Sequence, residues 1–171
     1  MLRLVAMTGL PCSGKSTVAY GLAARMHWPV FSVDPIDSAL RGEGIDAGAA
    51  GMAAYIVAAR LAADQLGLGL SAIVDGCNAD PELHELWREL AGHTGARLEV
   101  IECVTAEPLH RSRVAGRVRA LAHYPEVTWD FVEEMSGYFT PWDGEKLRLD
   151  TGAATADELV ARAAAYVMRP D

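Results

Sequence analysis

The sequence lacks the features that mark membrane-spanning, secreted and disulfide-stabilised proteins. Its three cysteines, spread over 171 residues, follow no paired spacing, so the sequence predicts neither a disulfide framework nor a zinc site. The longest nearly apolar run, residues 47–59, is too short to cross a bilayer, and the N-terminal residues show no secretory leader pattern. We therefore expect a cytoplasmic protein with reduced thiols and no membrane partner.

Positive charge is also scarce. The chain has 15 Lys and Arg residues against 23 Asp and Glu, a formal net charge of -8 at pH 7. Binding to DNA or RNA draws most of its strength from basic side chains that neutralise phosphates. This balance therefore argues against a nucleic-acid partner, although it does not exclude a small local basic patch.

The composition is 51% hydrophobic but only 7% aromatic, and much of the apolar share is alanine, which suits helices packed closely on a sheet. We expect residues 1–171 to form a single domain; oligomeric state is not indicated.

Short apolar segments alternate with helical ones along the chain. The apolar segments predict five strands, over residues 2–8, 29–34, 71–76, 96–104 and 146–151. Helices are expected between them and after the last, beginning near residues 14–15, 34–35, 46, 80–81, 108, 128 and 155. Strands separated by helices imply right-handed crossovers and a parallel sheet that is covered on both faces. The sequence therefore predicts an α/β fold.

The stretch GLPCSGKST, residues 9–17, satisfies the pattern G-x-x-x-x-G-K-[ST] between a predicted strand and a predicted helix. Glycines let such a loop curl so that successive N–H groups point inward and form an anion site, which the start of the helix reinforces. Lys15 adds a full positive charge, and the Ser16 hydroxyl is a suitable oxygen ligand for Mg²⁺. We interpret Cys12 as a residue that shapes the loop rather than as a catalytic thiol. The residues predicted to bind a nucleoside triphosphate here are Gly9, Pro11, Cys12, Ser13, Gly14, Lys15, Ser16 and Thr17.

With this loop, an aspartate that closes the second strand (FSVD) and an arginine-bearing helix after the fourth strand, the sequence resembles the small P-loop kinases. That group includes shikimate kinase, gluconate kinase, adenylylsulfate kinase, chloramphenicol phosphotransferase and polynucleotide 5'-hydroxyl kinase domains. The resemblance implies a P-loop NTPase three-layer sandwich with a five-stranded parallel sheet and a helical lid at about residues 107–124. It also implies an enzyme that uses ATP and Mg²⁺.

The resemblance gives roles to two aspartates at strand ends. Asp34 matches the acidic residue that orients or deprotonates the acceptor hydroxyl, and a carboxylate at the ligand-binding edge of a parallel sheet suits a general base. The alternative is that Asp34 only caps the helix opened by Pro35. Asp75 matches the residue that orients the magnesium shell and is also expected to face the acceptor, with a capped turn as its alternative. Asp37 is a further acceptor contact if it is not simply a solvated acid of the first helical turn.

Arginines follow the fourth strand in the run HRSRVAGRVR, which contains Arg111, Arg113, Arg117 and Arg119. In the related kinases such arginines close over the phosphates and offset charge on the transferring group. Arg113 and Arg117 lie four residues apart, share a helix face and form the better catalytic pair; a solvated basic face is the alternative. Arg113 is also expected to contact the nucleotide.

Two more residues are expected near the ligands. By the same resemblance Thr151, after the fifth strand, lies near the adenine. Arg60, on the helix that would flank the acceptor, would bind an anionic acceptor, with a surface salt bridge as the alternative.

These assignments predict a phosphotransferase that moves the γ-phosphate of ATP to a hydroxyl of a small molecule, with Lys15, Asp34, Arg113 and Arg117 as its catalytic residues. Two alternatives stay open. One is a kinase for a polynucleotide or tRNA-linked hydroxyl, and the other is a nucleotide-dependent switch or ATPase without an acceptor. No motif selects the acceptor or distinguishes ATP from GTP.

Overall fold

A computed structural model describes residues 1–118 and 120–170. Within them lies a five-stranded parallel sheet in the order β2-β3-β1-β4-β5. Its strands are β1 (Arg3–Thr8), β2 (Val30–Ser32), β3 (Ala72–Asp75), β4 (Arg97–Val104) and β5 (Leu147–Asp150). Because the central strand is β1, the loop that follows it lies in the middle of the sheet's carboxyl edge.

Seven helices accompany the strands in the described residues. They are α1 (Lys15–Met26), α2 (Val33–Gly42), α3 (Ala47–Gly67), α4 (Pro81–Thr94), α5 (Glu107–Gly116), α6 (Trp129–Tyr138) and α7 (Ala156–Val167). None of these helices is long and apolar enough to span a bilayer. The predicted capping box at the last helix is confirmed, since Thr155 and Glu158 satisfy each other's backbone N–H groups.

The sheet buries both of its faces, as the near-continuous apolar strands predicted. Alternate residues of β1 point to opposite sides: Leu4 and Ala6 pack under α3 and α4, whereas Val5 and Met7 pack under α1 and α7. Alanines of α3 and the fully buried Trp87 of α4 fill the first side. The predicted three-layer α/β sandwich is confirmed.

Two predicted boundaries are wrong. The second strand stops at Ser32, and Ser32 rather than Asp34 occupies the N-cap of α2, so Asp34 lies in the first turn of that helix. The helix predicted over residues 108–122 ends at Gly116, because Arg117 takes up an extended backbone conformation. The first correction removes the interpretation of Asp34 as a helix cap.

Candidate active site

The loop between β1 and α1 has a backbone that only particular residues can adopt. Gly9 and Gly14 have φ angles of 133° and 96°, and Cys12 has a φ of 63°. A Cβ atom at Gly9 would also collide with the carbonyl oxygen of Cys103 on β4. The Gly9 N–H instead donates to the Cys77 carbonyl at 3.2 Å. These contacts fix the start of the loop between the two strands that flank β1.

The N-terminus of α1 points into a cavity of about 730 Å³. Helix α1 begins at Lys15 and has no acidic residue in its first turn, so its positive dipole end is not neutralised locally. The cavity is lined by Lys15, Ser16 and Thr17 from this turn together with side chains from four other parts of the chain. Those other lining residues include Asp34, Asp75, Cys77, Arg113, Arg117 and Thr151.

Lys15 is buried at the cavity, and its ammonium donates to the Leu10 carbonyl at 2.9 Å. Burial lowers the pKa of this group, but attraction to Cys77, Asp75 and Asp34 outweighs the burial, so the pKa of Lys15 is raised. The side chain therefore carries its positive charge at neutral pH. A charged ammonium beside a helix N-terminus is an arrangement that binds phosphate oxygens.

Asp75 ends β3 with its carboxylate only partly satisfied. It is 4% exposed, and its Oδ2 accepts a hydrogen bond from Ser32 Oγ at 3.2 Å. Within the described structure, its Oδ1 is buried without a hydrogen-bond partner. A buried, unpartnered carboxylate oxygen is costly unless a ligand, a cation or a water satisfies it.

This donor set fits Mg²⁺. The Ser16 hydroxyl and the Asp75 carboxylate both line the cavity, and both are hard oxygen ligands of the kind that Mg²⁺ prefers. The described residues contain no group of three or more His, Cys, Asp or Glu side chains that could hold a metal alone. A magnesium ion at this place would need phosphate oxygens and waters to complete its coordination, as is usual for Mg²⁺ with nucleotides.

The predicted acceptor residues separate into two groups. Asp34 lines the cavity from the first turn of α2, as does Asp75 from the end of β3. Asp37 is buried away from the cavity lining in a two-fold ion pair with Arg41, with contacts of 2.7 and 3.1 Å. Arg60 lies on an exposed part of α3 and does not line the cavity. The structure thus brings Asp34 and Asp75 together but places Asp37 and Arg60 elsewhere.

Helix α5 packs directly on the phosphate loop. His110 is buried and its Nε2 lies 2.6 Å from the Pro11 carbonyl oxygen. Val114 packs with Cys12 and with Val132 of α6. Arg117, just after the helix, places its Nη1 3.6 Å from Cys12 Sγ.

The arginines of this region point in different directions. Arg113 donates to the Thr151 hydroxyl at 2.6 Å and to the Thr151 carbonyl at 2.8 Å. Arg111 turns away from the cavity to Glu107 and Glu133. Arg119 lies outside the described residues. Of the four arginines in the run, Arg113 and Arg117 are the described ones that line the cavity.

Two buried residues beside the cavity were not singled out from the sequence. His110 precedes Arg113 by three positions on α5, so helical spacing gives a signal that places these two residues on the same face. Asn78 is fully buried with a φ of 49° and bonds the Met7 carbonyl and Trp87 Nε1, both at 2.6 Å. No local pattern announces Asn78, because its partners lie on two other elements.

Comparison with known proteins agrees with this geometry. The model of the AAA_33 family, described as an AAA domain, matches residues 4–142. The uncharacterized protein Rv2004c of Mycobacterium tuberculosis is 28% identical over 162 residues, which cover 88% of this chain. The chain spans about a third, 32%, of the length of that relative.

Two solved structures share the fold. A protein of Chloroflexus aurantiacus, described as a candidate kinase, superposes with a TM-score of 0.78 at 22% identity, over 98% of this chain and 99% of that one. The APS kinase CysC of Mycobacterium tuberculosis, in complex with AMPPNP and APS, gives a TM-score of 0.72 at 20% identity, over 95% of each chain. The chain therefore belongs to the AAA_33 family of AAA domains and has a P-loop kinase-like fold.

Proposed function

We propose that the protein is a magnesium-dependent phosphotransferase that moves the γ-phosphate of ATP to a hydroxyl group of a small molecule. The observation that carries the proposal is the convergence on one cavity of Lys15, Ser16, Asp34, Asp75 and Arg117. These side chains would supply phosphate binding, metal binding, a base and a further positive charge. The likeness of fold to an APS kinase supports the same reading.

The phosphate loop would hold the triphosphate. Backbone N–H groups and the Lys15 ammonium bind the β- and γ-phosphate oxygens, while Ser16 and Asp75 would hold Mg²⁺. When bound, Mg²⁺ neutralises part of the phosphate charge. The unpartnered Asp75 Oδ1 is the protein oxygen that gains most from a metal or a metal-bound water.

Asp34 would act on the acceptor. The acceptor oxygen attacks the γ-phosphorus in line, a new O–P bond forms, and the bond from that phosphorus to the bridging oxygen of ADP breaks. The hydroxyl proton passes to the Asp34 carboxylate. Lys15 and Arg117 offset the charge that spreads over the transferring group and the leaving oxygen.

The positions of Asp37 and Arg60 reduce the number of residues that we propose to contact the acceptor. Asp37 is held by Arg41 and Arg60 lies outside the cavity lining, so we no longer assign either a direct contact with the acceptor. Among the predicted acceptor residues the proposal therefore rests on Asp34, with Asp75 beside it.

The test is magnesium-dependent release of ADP from ATP with a panel of sugars, polyols, amino alcohols, nucleosides and a 5'-hydroxyl oligonucleotide. We expect one class of small hydroxyl compound to stimulate turnover. The Asp34→Asn variant, which keeps the shape of the side chain, should lose about 10²- to 10⁴-fold in turnover because it removes the base. Its ADP affinity, measured by calorimetry, should match that of the wild type.

Other outcomes would redirect the proposal. Stimulation by the oligonucleotide alone would indicate a polynucleotide kinase. A slow rate that no compound changes, or that only a protein partner raises, would favour the switch. Equal loss of turnover and of ADP binding in Asp34→Asn would remove the assigned role of Asp34.

A further inference from the structure

Arg113 is bound to the protein rather than extended into the cavity. Its two terminal nitrogens donate to the two oxygens of Thr151, at 2.6 and 2.8 Å. Arg117, four residues further on, places its Nη1 at the longer distance of 3.6 Å from Cys12 Sγ. The two arginines of the predicted catalytic pair are thus held in different ways.

Thr151 is the point where three parts of the chain meet. It is 6% exposed, and its Oγ1 lies 2.7 Å from the Ser13 carbonyl oxygen in the phosphate loop. Its N–H donates to the Val104 carbonyl at 2.8 Å, which extends the pairing of β4 with β5. A Cβ atom on Gly14 would lie 3.1 Å from the Thr151 side chain. The phosphate loop therefore rests directly on this threonine.

The hydroxyl of Thr151 has one proton, so it can donate one hydrogen bond while it accepts another. The hydroxyl accepts from Arg113 and donates to the Ser13 carbonyl, the shorter of its two carbonyl contacts; the other, Val104, lies at 3.2 Å. A hydrogen bond from a guanidinium polarises the hydroxyl and strengthens its own donation. Loss of either side chain would leave the remaining groups of a buried site partly unsatisfied.

The direction of the Ser13 carbonyl matters for phosphate binding. In a trans peptide the carbonyl oxygen and the following N–H point in opposite directions. Because Thr151 holds the Ser13 oxygen, the Gly14 N–H points away from Thr151, and Gly14 lines the cavity. His110 contacts the Pro11 oxygen in the same way, so the Cys12 N–H points away from His110.

We propose that Thr151 and Arg113 are positioning residues that hold the phosphate loop in its nucleotide-binding conformation. Arg113 acts through Thr151, and Arg117 is the arginine of this pair that offsets phosphate charge. This inference rests on one part of the proposed function, which is that a nucleotide binds at the loop. It assigns Thr151 to the loop instead of to the adenine.

The experiment measures ADP affinity by isothermal titration calorimetry, with Mg²⁺ present, for Thr151→Val, Arg113→Gln and the double variant. The valine variant removes the hydroxyl but keeps the shape and leaves the guanidinium in the chain. We expect each single variant to weaken ADP binding by a similar factor, about tenfold or more. The double variant should be no weaker than the worse single variant, because both changes break one unit. Thr151→Ser should retain wild-type affinity.

Matched controls come from the same chain. Thr94→Val removes a hydroxyl that donates to the Leu90 carbonyl at 2.7 Å, far from the loop. Arg111→Gln removes an exposed arginine from the same helix as Arg113. Both control variants should bind ADP as the wild type does. Circular dichroism and thermal melting without nucleotide establish that each variant is folded, and Thr151→Ser tests the hydroxyl if the valine variant does not fold.

Several results would overturn the inference. If Arg113→Gln weakens ADP binding while Thr151→Val does not, Arg113 contacts the nucleotide directly. If the losses in the single variants multiply in the double variant, the two side chains act independently. A wild-type protein that fails to bind ADP would contradict the proposed function and this inference together, whereas normal wild-type binding with an unaffected Thr151→Val contradicts the inference alone.

Discussion

The two edges of the sheet treat buried charge differently. At the amino edge, Glu99 is fully buried and lies 2.6 Å from Arg169, 3.0 Å from Arg97 and 3.9 Å from Arg3. Three guanidinium groups thus surround one carboxylate. This network ties β1 and β4 to the residues after α7, since Arg3 Nε also donates to the Val167 carbonyl at 2.9 Å.

At the carboxyl edge the charges stay apart. Lys15 and Asp75 are buried there too, but the Lys15 ammonium bonds a backbone carbonyl, and Asp75 Oδ1 has no hydrogen-bond partner in the described structure. Ser13 Oγ is also buried, and it has no hydrogen-bond partner among the described residues. At the amino edge Glu99 Oε1 is also buried without a hydrogen bond, but Arg97 at 3.0 Å and Arg3 at 3.9 Å neutralise its charge. At the carboxyl edge the ion pairs of the described structure do not include Asp75, so a ligand or a cation would have to offset its charge. We therefore expect the buried charge to stabilise the fold at the amino edge and to serve ligand binding at the carboxyl edge.

The largest expected effect comes from removing the cation at the carboxyl edge. Lys15→Met keeps the length of the side chain and removes its charge, so we expect loss of turnover by about a thousandfold, the size seen when a group that stabilises transition-state charge is removed. The melting temperature without nucleotide should not fall, because the buried charge contributes little to the fold. ADP release and thermal melting measure the two effects. A variant that loses stability as well as turnover would contradict the comparison.

Glu99→Gln tests the amino edge. The change leaves one buried and two partly buried guanidinium groups without their counter-charge, so we expect the free energy of unfolding to fall by about 3 kcal/mol. Chemical denaturation measures it, and ADP affinity of the folded variant should be unchanged. Arg148→Gln, which removes an exposed partner of Glu102, is the control and should cost little. An equally small effect of Glu99→Gln would mean that the amino-edge network is not a stabilising one.

Local signals in the sequence predicted the frame of the molecule well. The phosphate-loop pattern, the alternation of apolar segments and the capping box at Thr155 depend on residues close together in the chain, and the structure has the corresponding loop, strands and helix start. The ion pair of Asp37 with Arg41 is also local, since an acid four residues before a base on a helix is a known pairing. That pairing was a signal against Asp37 as a ligand.

The remaining features depend on contacts between distant residues. Thr151 meets Ser13 across 138 positions and Arg113 across 38, and no local pattern encodes such partners. The start of α2 at Val33 was missed because Asp-Pro is a strong helix-start pattern, whereas the chain leaves the sheet two residues earlier at Ser32. The sequence therefore identified the loop and the sheet edge but not the side chains that hold the loop in shape.

The Asp75→Asn variant tests whether the carboxylate at the carboxyl edge supports magnesium binding. The amide keeps the size of the side chain and one oxygen, but it loses the negative charge that favours a divalent cation. We expect the Mg²⁺ concentration that gives half-maximal ADP release to rise by about 10- to 100-fold, the range typical for residues that support a metal. Turnover at saturating Mg²⁺ should recover in large part. An unchanged magnesium dependence would remove Asp75 from the metal site and leave only its contact with Ser32.

The smallest expected effect concerns the cysteines on either side of the phosphate loop. Burial raises the pKa of Cys103 to about 12, so at pH 8 only about one part in ten thousand is the reactive thiolate. Cys77 is half-buried and lines the cavity, so iodoacetamide should modify it first, and ADP with Mg²⁺ should slow that reaction by occupying the cavity. Mass spectrometry of the alkylated peptides measures both rates, with the denatured protein as the control in which all three cysteines react.

Because the raised pKa keeps the Cys103 thiol protonated, its labelling should stay negligible as the pH rises from 7 to about 10. Labelling of Cys103 in the folded protein at a rate close to that of Cys77 would show that this part of β4 is open to solvent rather than closed beneath the loop.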